Sequence, residues 1–258
     1  MQSEPKLLER EAYSFLSQER FEEAFRLFRR AAQIYKREQN HKQAALCFAS
    51  AASCWGKRSG EKTFYKAGLA YEDAAHQAEK SIDYEYASLL YKHAARNHER
   101  DGEFSEYSKC FYLSKECYRR FLTLRIVNPK KINSIIGDQR DTGVKSFFKH
   151  LLYWFMSTFS YIVWGHGERP ARTLFAGILI ILLAASFYTV GFLSKEGLLF
   201  APNFFQAFYF SVVTFTTLGY GDIAPVGFTK LVAITEAFCG LFTIPLFIVG
   251  LSRKYLRI

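Results

Sequence analysis

Charge is scarce in the second half of this chain. Of the 58 Lys, Arg, Asp and Glu among 258 residues, residues 1–143 hold 45 and residues 144–258 hold 13. Proline is also sparse, at 6, and glycine numbers 16, which excludes a collagen-like or Pro/Gly-rich chain. Five cysteines in a chain this long make no disulfide scaffold. No Cys-x-x-C spacing occurs, so cysteine-based metal binding is not expected. The opening MQSEPKLLER is polar, and no secretory signal is expected there. What is abundant is apolar: half of the residues are hydrophobic, which excludes intrinsic disorder. The mean hydropathy of −0.06 resembles that of a basic soluble protein, but it averages two unlike halves.

The sparse half contains two windows of membrane-spanning length. Thr173 to Ser194 holds 22 residues without a charge, and Leu231 to Ser252 holds 22 with only Glu236. A spanning helix needs about 20 mostly apolar residues. An outer helix is therefore expected over 173–194 and an inner helix over 230–252. Lys145, Lys149, Arg169 and Arg172 precede the first window, and Arg253, Lys254 and Arg257 follow the second. The connecting loop carries only Lys195 and Lys230. The positive-inside rule then places both termini in the cytoplasm of a multi-pass protein, in a plasma or inner membrane with the lipid bilayer as a partner. The net charge of +10 divides evenly, +5 and +5, and much of the second share sits at the expected inner face. It reports topology there, and no nucleic-acid partner is expected.

The charged half repeats. Ala24, Phe28, Ala31 and Ala32 recur as Ala44, Phe48, Ala51 and Ala52, as Ala67, Tyr71, Ala74 and Ala75, and as Ala87, Tyr91, Ala94 and Ala95. The starts are 20, 23 and 20 residues apart, and a degenerate copy follows at Tyr107, Phe111 and Ser114. Spacings of i, i+4, i+7 and i+8 share one helical face. Polar turns at 38–40, 58–60 and 100–102 separate the copies, so each unit is one helix and two units make an antiparallel hairpin. Residues 5–125 thus resemble tetratricopeptide-type repeats and the soluble attachment proteins of vesicle fusion. Such stacks imply a groove for a protein or peptide partner, with a spacer or assembly role as the alternative. His76, His93 and His98 have no matching ligand set in sequence, and Cys47, Cys54, Cys110 and Cys117 read as small buried helix residues. No catalytic constellation stands out, and an enzyme is not expected.

The expected domains are a cytoplasmic helical-repeat domain over 1–127, a linker over 128–146, an interfacial helix and turn over 147–169, and a two-span domain over 170–258. The linker holds Asn128, Pro129, Gly137 and Gly143. Leu151 to Trp164 is uncharged but too short to span comfortably, and its Tyr, Trp and Phe suit the membrane interface.

Between Gly197 and Thr229 the chain has one charge, Asp222, as a re-entrant segment would. Asn203 is a suitable cap for a short apolar helix over 203–215. Then comes Thr214-Phe215-Thr216-Thr217-Leu218-Gly219-Tyr220-Gly221-Asp222. This resembles the signature of potassium channels, Thr-x-Thr-Thr-x-Gly-Tyr-Gly-Asp. A potassium ion must exchange its water shell for protein oxygens, and successive carbonyls can supply them only from a backbone that glycine tolerates.

The resemblance implies an all-α chain: an α-solenoid followed by a two-transmembrane-helix pore domain. It implies a passive potassium-selective channel, a homotetramer, with K+ as the permeant ion and no cofactor. It implies a filter over 217–221, with K+ held by the carbonyls of Thr217, Leu218, Gly219 and Tyr220 and the Thr217 hydroxyl, and with Gly221 completing the filter backbone. Thr214, Thr216 and Asp222 would support the filter, Asp222 bonding to Tyr209. Leu218 departs from the commoner Val or Ile. Gly240 falls at the position of a gating hinge, Pro245 is expected to kink the inner helix, and Gly250 to allow close packing. Glu236, an intramembrane acid, is expected behind the filter, bonded to polar groups of the pore helix. No voltage sensor is expected, since no span repeats Arg at every third position. With Ile258 six residues past Ser252, regulation is expected from the N-terminal side. The rival readings are a membrane-anchored scaffold with a poorly conducting pore and a weakly selective cation channel.

Overall fold

The computed structural model describes residues 4–57, 63–129 and 144–255. They are mostly helical, and residues 1–158 and 159–258 form two compact units.

The first unit opens with six helices: α1 (Glu4–Ser17), α2 (Phe21–Arg37), α3 (His41–Lys57), α4 (Thr63–Lys80), α5 (Tyr84–Arg100) and α6 (Phe104–Val127). Each packs on the next in chain order. The four signature copies form the core: every alanine in them is buried, as are Phe28, Phe48 and Tyr91, while Tyr71 is half-buried at its edge. Small alanines let the helix backbones approach, and the aromatics fill the space beside them. The fifth copy follows the register only in part: Ser114 is buried and Tyr107 and Phe111 pack half-buried against the core, stacked on each other, while Cys110, Glu116, Cys117, Phe121 and Leu122 are also buried in α6. The four cysteines of this unit are buried, and burial pushes the thiols of Cys47 and Cys54 up to about 12 and about 11.

The turns repeat as faithfully as the helices. Glu19, Gln39, Ile82 and Gly102 are left-handed, with φ of +60°, +59°, +63° and +82°. The next residue's amide bonds five residues back each time: Arg20 to Phe15, Asn40 to Tyr35, Asp83 to Ala78 and Glu103 to His98, at 2.9–3.0 Å. This closes each helix with the bond of a Schellman cap. Only one of the four positions is glycine, which is why the turns were less visible in sequence than the helices. The expected turn at 58–60 lies outside the described residues, as does most of the expected linker. Residues 144–146, assigned to that linker, are helical instead: they begin α7 (Val144–Trp164), in which the boundary between the units falls. Trp154 of α7 packs on Phe121 and Leu122, and its indole N–H donates to Thr123 Oγ1 at 3.0 Å.

The second unit has α8 (Pro170–Val190), α9 (Phe204–Phe215) and α10 (Thr229–Tyr255) packed against one another. Among the described residues, α8 and α10 are the two helices long and apolar enough to cross a membrane. α8 starts three residues before the expected 173 and ends four before 194. Past Gly191 the chain turns extended and forms a small sheet that the all-helical expectation omitted: β1 (Leu193–Lys195), β2 (Leu198–Phe200) and β3 (Ala224–Pro225), all antiparallel, in the order β2-β1-β3. Glu196 and Gly197, both at positive φ, make the two-residue hairpin turn. The core of this unit is Ala184, Ala185, Tyr188, Leu193, Ala207 and Phe210.

Candidate functional site

The segment between α9 and β3 is positioned by the two ends of α9. At the start, Asn203 Oδ1 accepts from the Gln206 amide at 2.9 Å and Gln206 Oε1 accepts from the Asn203 amide at 3.0 Å, a closed capping box. At the end, Thr216 Oγ1 donates to the Val212 carbonyl at 2.7 Å. The amides of Thr217 and Leu218 turn back to the carbonyls of Thr214 and Val213 at 3.0 and 3.1 Å. The chain therefore reverses immediately beyond α9.

From there the backbone alternates. Thr217, Gly219 and Gly221 have φ of +59°, +58° and +78°, while Leu218 and Tyr220 between them are not left-handed. In an ordinary strand successive carbonyls point to opposite sides; alternating the hand of the backbone turns them to one side. Two glycines adopt this freely, but Thr217 does so at a cost of about 1–2 kcal/mol. Strain of this kind collects at functional sites. Residues 217–222 are all exposed, with Leu218 and Tyr220 at 60% and 67%, so one chain packs only the back of this segment. The Tyr209 hydroxyl donates to Asp222 Oδ2 at 2.9 Å and ties its outer end to α9.

Behind it lies a buried polar cluster. The Tyr188 hydroxyl, on α8, donates to Glu236 Oε2 at 2.7 Å, and Ser211, on α9, bonds Glu236 Oε1. Ser211 Oγ also lies 2.9 Å from the Ile181 carbonyl. Glu236 thus joins all three helices. The sequence pointed to Glu236 and to pore-helix partners in general; Ser211 and the α8 partner Tyr188 carried no signal of their own.

Gly240 has a specific surrounding. A Cβ there would run into the carbonyl oxygen of Phe215, the last residue of α9. On α8, a Cβ at Gly177 would meet Phe215 Cζ at 3.3 Å and Thr243 Cγ2 at 3.6 Å. Small residues on both long helices therefore seat Phe215, at the end of α9. Pro245, where a kink is expected, lies inside α10. Gly250 lies against the start of α8: a Cβ there would be 3.3 Å from Pro170 Cβ. This joint is built by the 3-10 turn Gly165–Gly167, all at positive φ. Arg172 Nη1 donates to the Tyr161 carbonyl at 2.8 Å, and its guanidinium lies 4.7 Å from the Tyr161 ring centre. Nothing in the spacing of Tyr161, Gly165 and Arg172 announced this clamp.

The comparisons with known proteins divide at the same place as the composition. Residues 175–257 match the ion channel family. Residues 2–123 match the soluble NSF attachment protein family. Potassium channel protein 1 of Methanocaldococcus jannaschii is 37% identical over 91 residues, which are 32% of this chain and 26% of that protein. The match thus spans about a quarter of that relative's length. No solved structure matches. The chain therefore joins a potassium-channel-like pore segment to an attachment-protein-like helical domain, and its two apolar helices mark a membrane protein.

Proposed function

We propose that this protein is a potassium-selective channel in which four copies bring residues 217–221 around one axis. The alternating backbone at Thr217, Gly219 and Gly221 carries the reading, because it turns successive carbonyls to one side, where they replace the hydration shell of K+. Four strands of this kind close a ring of oxygens, and closed rings of identical chains are the ordinary form of such assemblies. Asp222 and Tyr209 hold the outer end of the strand, and Ser211, Tyr188 and Glu236 hold its back. Conduction is passive and needs no cofactor. Both termini lie in the cytoplasm, and α7 lies along the inner leaflet, its exposed Phe148, Phe155, Met156 and Ile162 in the interface. The helical-repeat unit binds a protein or peptide partner and biases opening.

The test is K+ against Na+ flux in liposomes carrying the full chain, with Gly219→Ala and Tyr220→Ala as controls. Selective K+ flux that both substitutions abolish is the expected result. Absence of selective flux under all conditions refutes the channel and leaves the membrane-anchored scaffold; flux without selectivity leaves the weakly selective cation channel. Removing residues 1–127 should change open probability with selectivity intact, and unchanged gating leaves assembly as the repeat unit's role.

A further inference from the structure

Glu72 on α4, His98 on α5 and Cys110 on α6 converge inside the repeat unit, although the sequence showed no ligand set for His98. Their ligand atoms all lie within 4.8 Å of one another, and the three residues are 8%, 0% and 0% exposed. His98 Nε2 stands 2.8 Å from Glu72 Oε1. Gly68 makes room for the ring, since a Cβ there would fall 2.6 Å from His98 Cε1. A cation already faces the carboxylate: Lys109 Nζ is 3.4 Å from Glu72 Oε2 and 3.1 Å from Glu106 Oε2.

Thiolate, imidazole and carboxylate form a zinc donor set, with bonds of about 2.0–2.3 Å that put tetrahedral ligand atoms about 3.3–3.8 Å apart. The three ligand atoms, all within 4.8 Å of one another, lie close to that spacing. Two anionic ligands neutralise a dication, which suits a buried position. We propose that Glu72, His98 and Cys110 bind one zinc-class divalent cation per chain, with water in the fourth position, pinning α4, α5 and α6 together. On binding, the Cys110 thiol proton leaves to solvent and His98 ligates through Nε2 as neutral imidazole. Its proton then sits on Nδ1, which has no hydrogen-bond partner in the structure, and the Nε2–Glu72 hydrogen bond is exchanged for the two metal bonds. Lys109, largely exposed, swings away from Glu72 and keeps Glu106. The site does not depend on the pore reading.

The test is titration of the full chain in lipid nanodiscs with Co2+, followed by Zn2+ competition and metal analysis. A thiolate-to-cobalt charge-transfer band saturating at one ion per chain is expected, and Zn2+ should erase it. Cys110→Ser should remove the band at unchanged helix content, which separates this site from the exposed Cys239. Glu72→Gln should weaken Zn2+ binding at least about tenfold, as losing a ligand exceeds losing an outer partner. Lys109→Met should tighten it. A folded wild-type chain with no such band and no stoichiometric zinc overturns the proposal, as does a band that survives Cys110→Ser.

Discussion

Gly240→Ala separates two roles for one glycine. A hinge glycine serves by bending, and alanine there would alter opening rates while leaving the filter intact. The structure gives Gly240 a packing reason to be glycine: its missing side chain is the space occupied by the Phe215 carbonyl oxygen. Alanine in a helix interior gains about 1 kcal/mol over glycine. Overpacking a well-packed site costs about 1–3 kcal/mol. The obstacle here is backbone at the end of α9, two residues before Thr217, so the upper part of that range applies and a net loss of about 1–2 kcal/mol is expected. Relief requires α9 and α10 to separate at the point from which the filter strand departs. Gly250→Ala is the control. Its Cβ would come no nearer than 3.3 Å to anything, at Pro170 Cβ, so the helix gain should roughly cancel the contact and stability should stay near wild type. Thermal unfolding in detergent and the K+/Na+ permeability ratio are the assays. Gly240→Ala should lower both, and Gly250→Ala neither. A Gly240→Ala protein with wild-type stability and selectivity but altered opening kinetics would refute the packing argument and restore the hinge.

Glu236→Gln should be tolerated, because the amide oxygen accepts from Tyr188 and the amide nitrogen donates to Ser211, whose own hydrogen turns to the Ile181 carbonyl. Glu236→Ala strands the buried Tyr188 hydroxyl and should cost about 1–3 kcal/mol, read as a lower unfolding temperature. Gln39→Gly relieves a left-handed exposed residue worth about 1–2 kcal/mol, less about 0.5–1 kcal/mol of added chain entropy, so chemical denaturation of the repeat unit should show a small gain. Burial raises the Glu116 carboxyl, but Arg119 at 2.6 Å and Arg120 at 3.4 Å more than offset it and hold it below its ordinary value. A carboxylate depressed in the folded state stabilises fully above its unfolded value of about 4.3 and loses that contribution as pH falls through the folded value. Acid unfolding followed by circular dichroism should therefore be less steep below about pH 4 in Glu116→Gln than in wild type; equal slopes would show that the pair contributes nothing.

Much of the fold was legible because it is written in periods and composition. The Ala-aromatic-Ala-Ala signature marked α2 to α5 because one buried face recurs at fixed spacing. The helix α9 was legible from Asn203 and the apolar run behind it, although only the structure shows Gln206 closing the cap. Where the period weakened, so did the reading: in α6 the copy's Ser114 is buried and Tyr107 and Phe111 are half-buried, while Cys110 and Cys117, outside the copy, are also in the core. The strands β1 to β3 are two or three residues long, too short for an alternating pattern to register.

The sequence by itself determined the two long apolar helices, the repeat, and the order of residues over 217–222, because each depends on neighbours along the chain. Tertiary structure decided what those residues meet. Tyr188 and Ser211 reach Glu236 from 48 and 25 positions away, and Glu72 and Cys110 reach His98 from different helices. Gly240 is a packing position only because α9 ends opposite it. Such meetings follow from the axial register of packed helices, a quantity set by the sum of many side-chain contacts and carried by no single stretch of sequence.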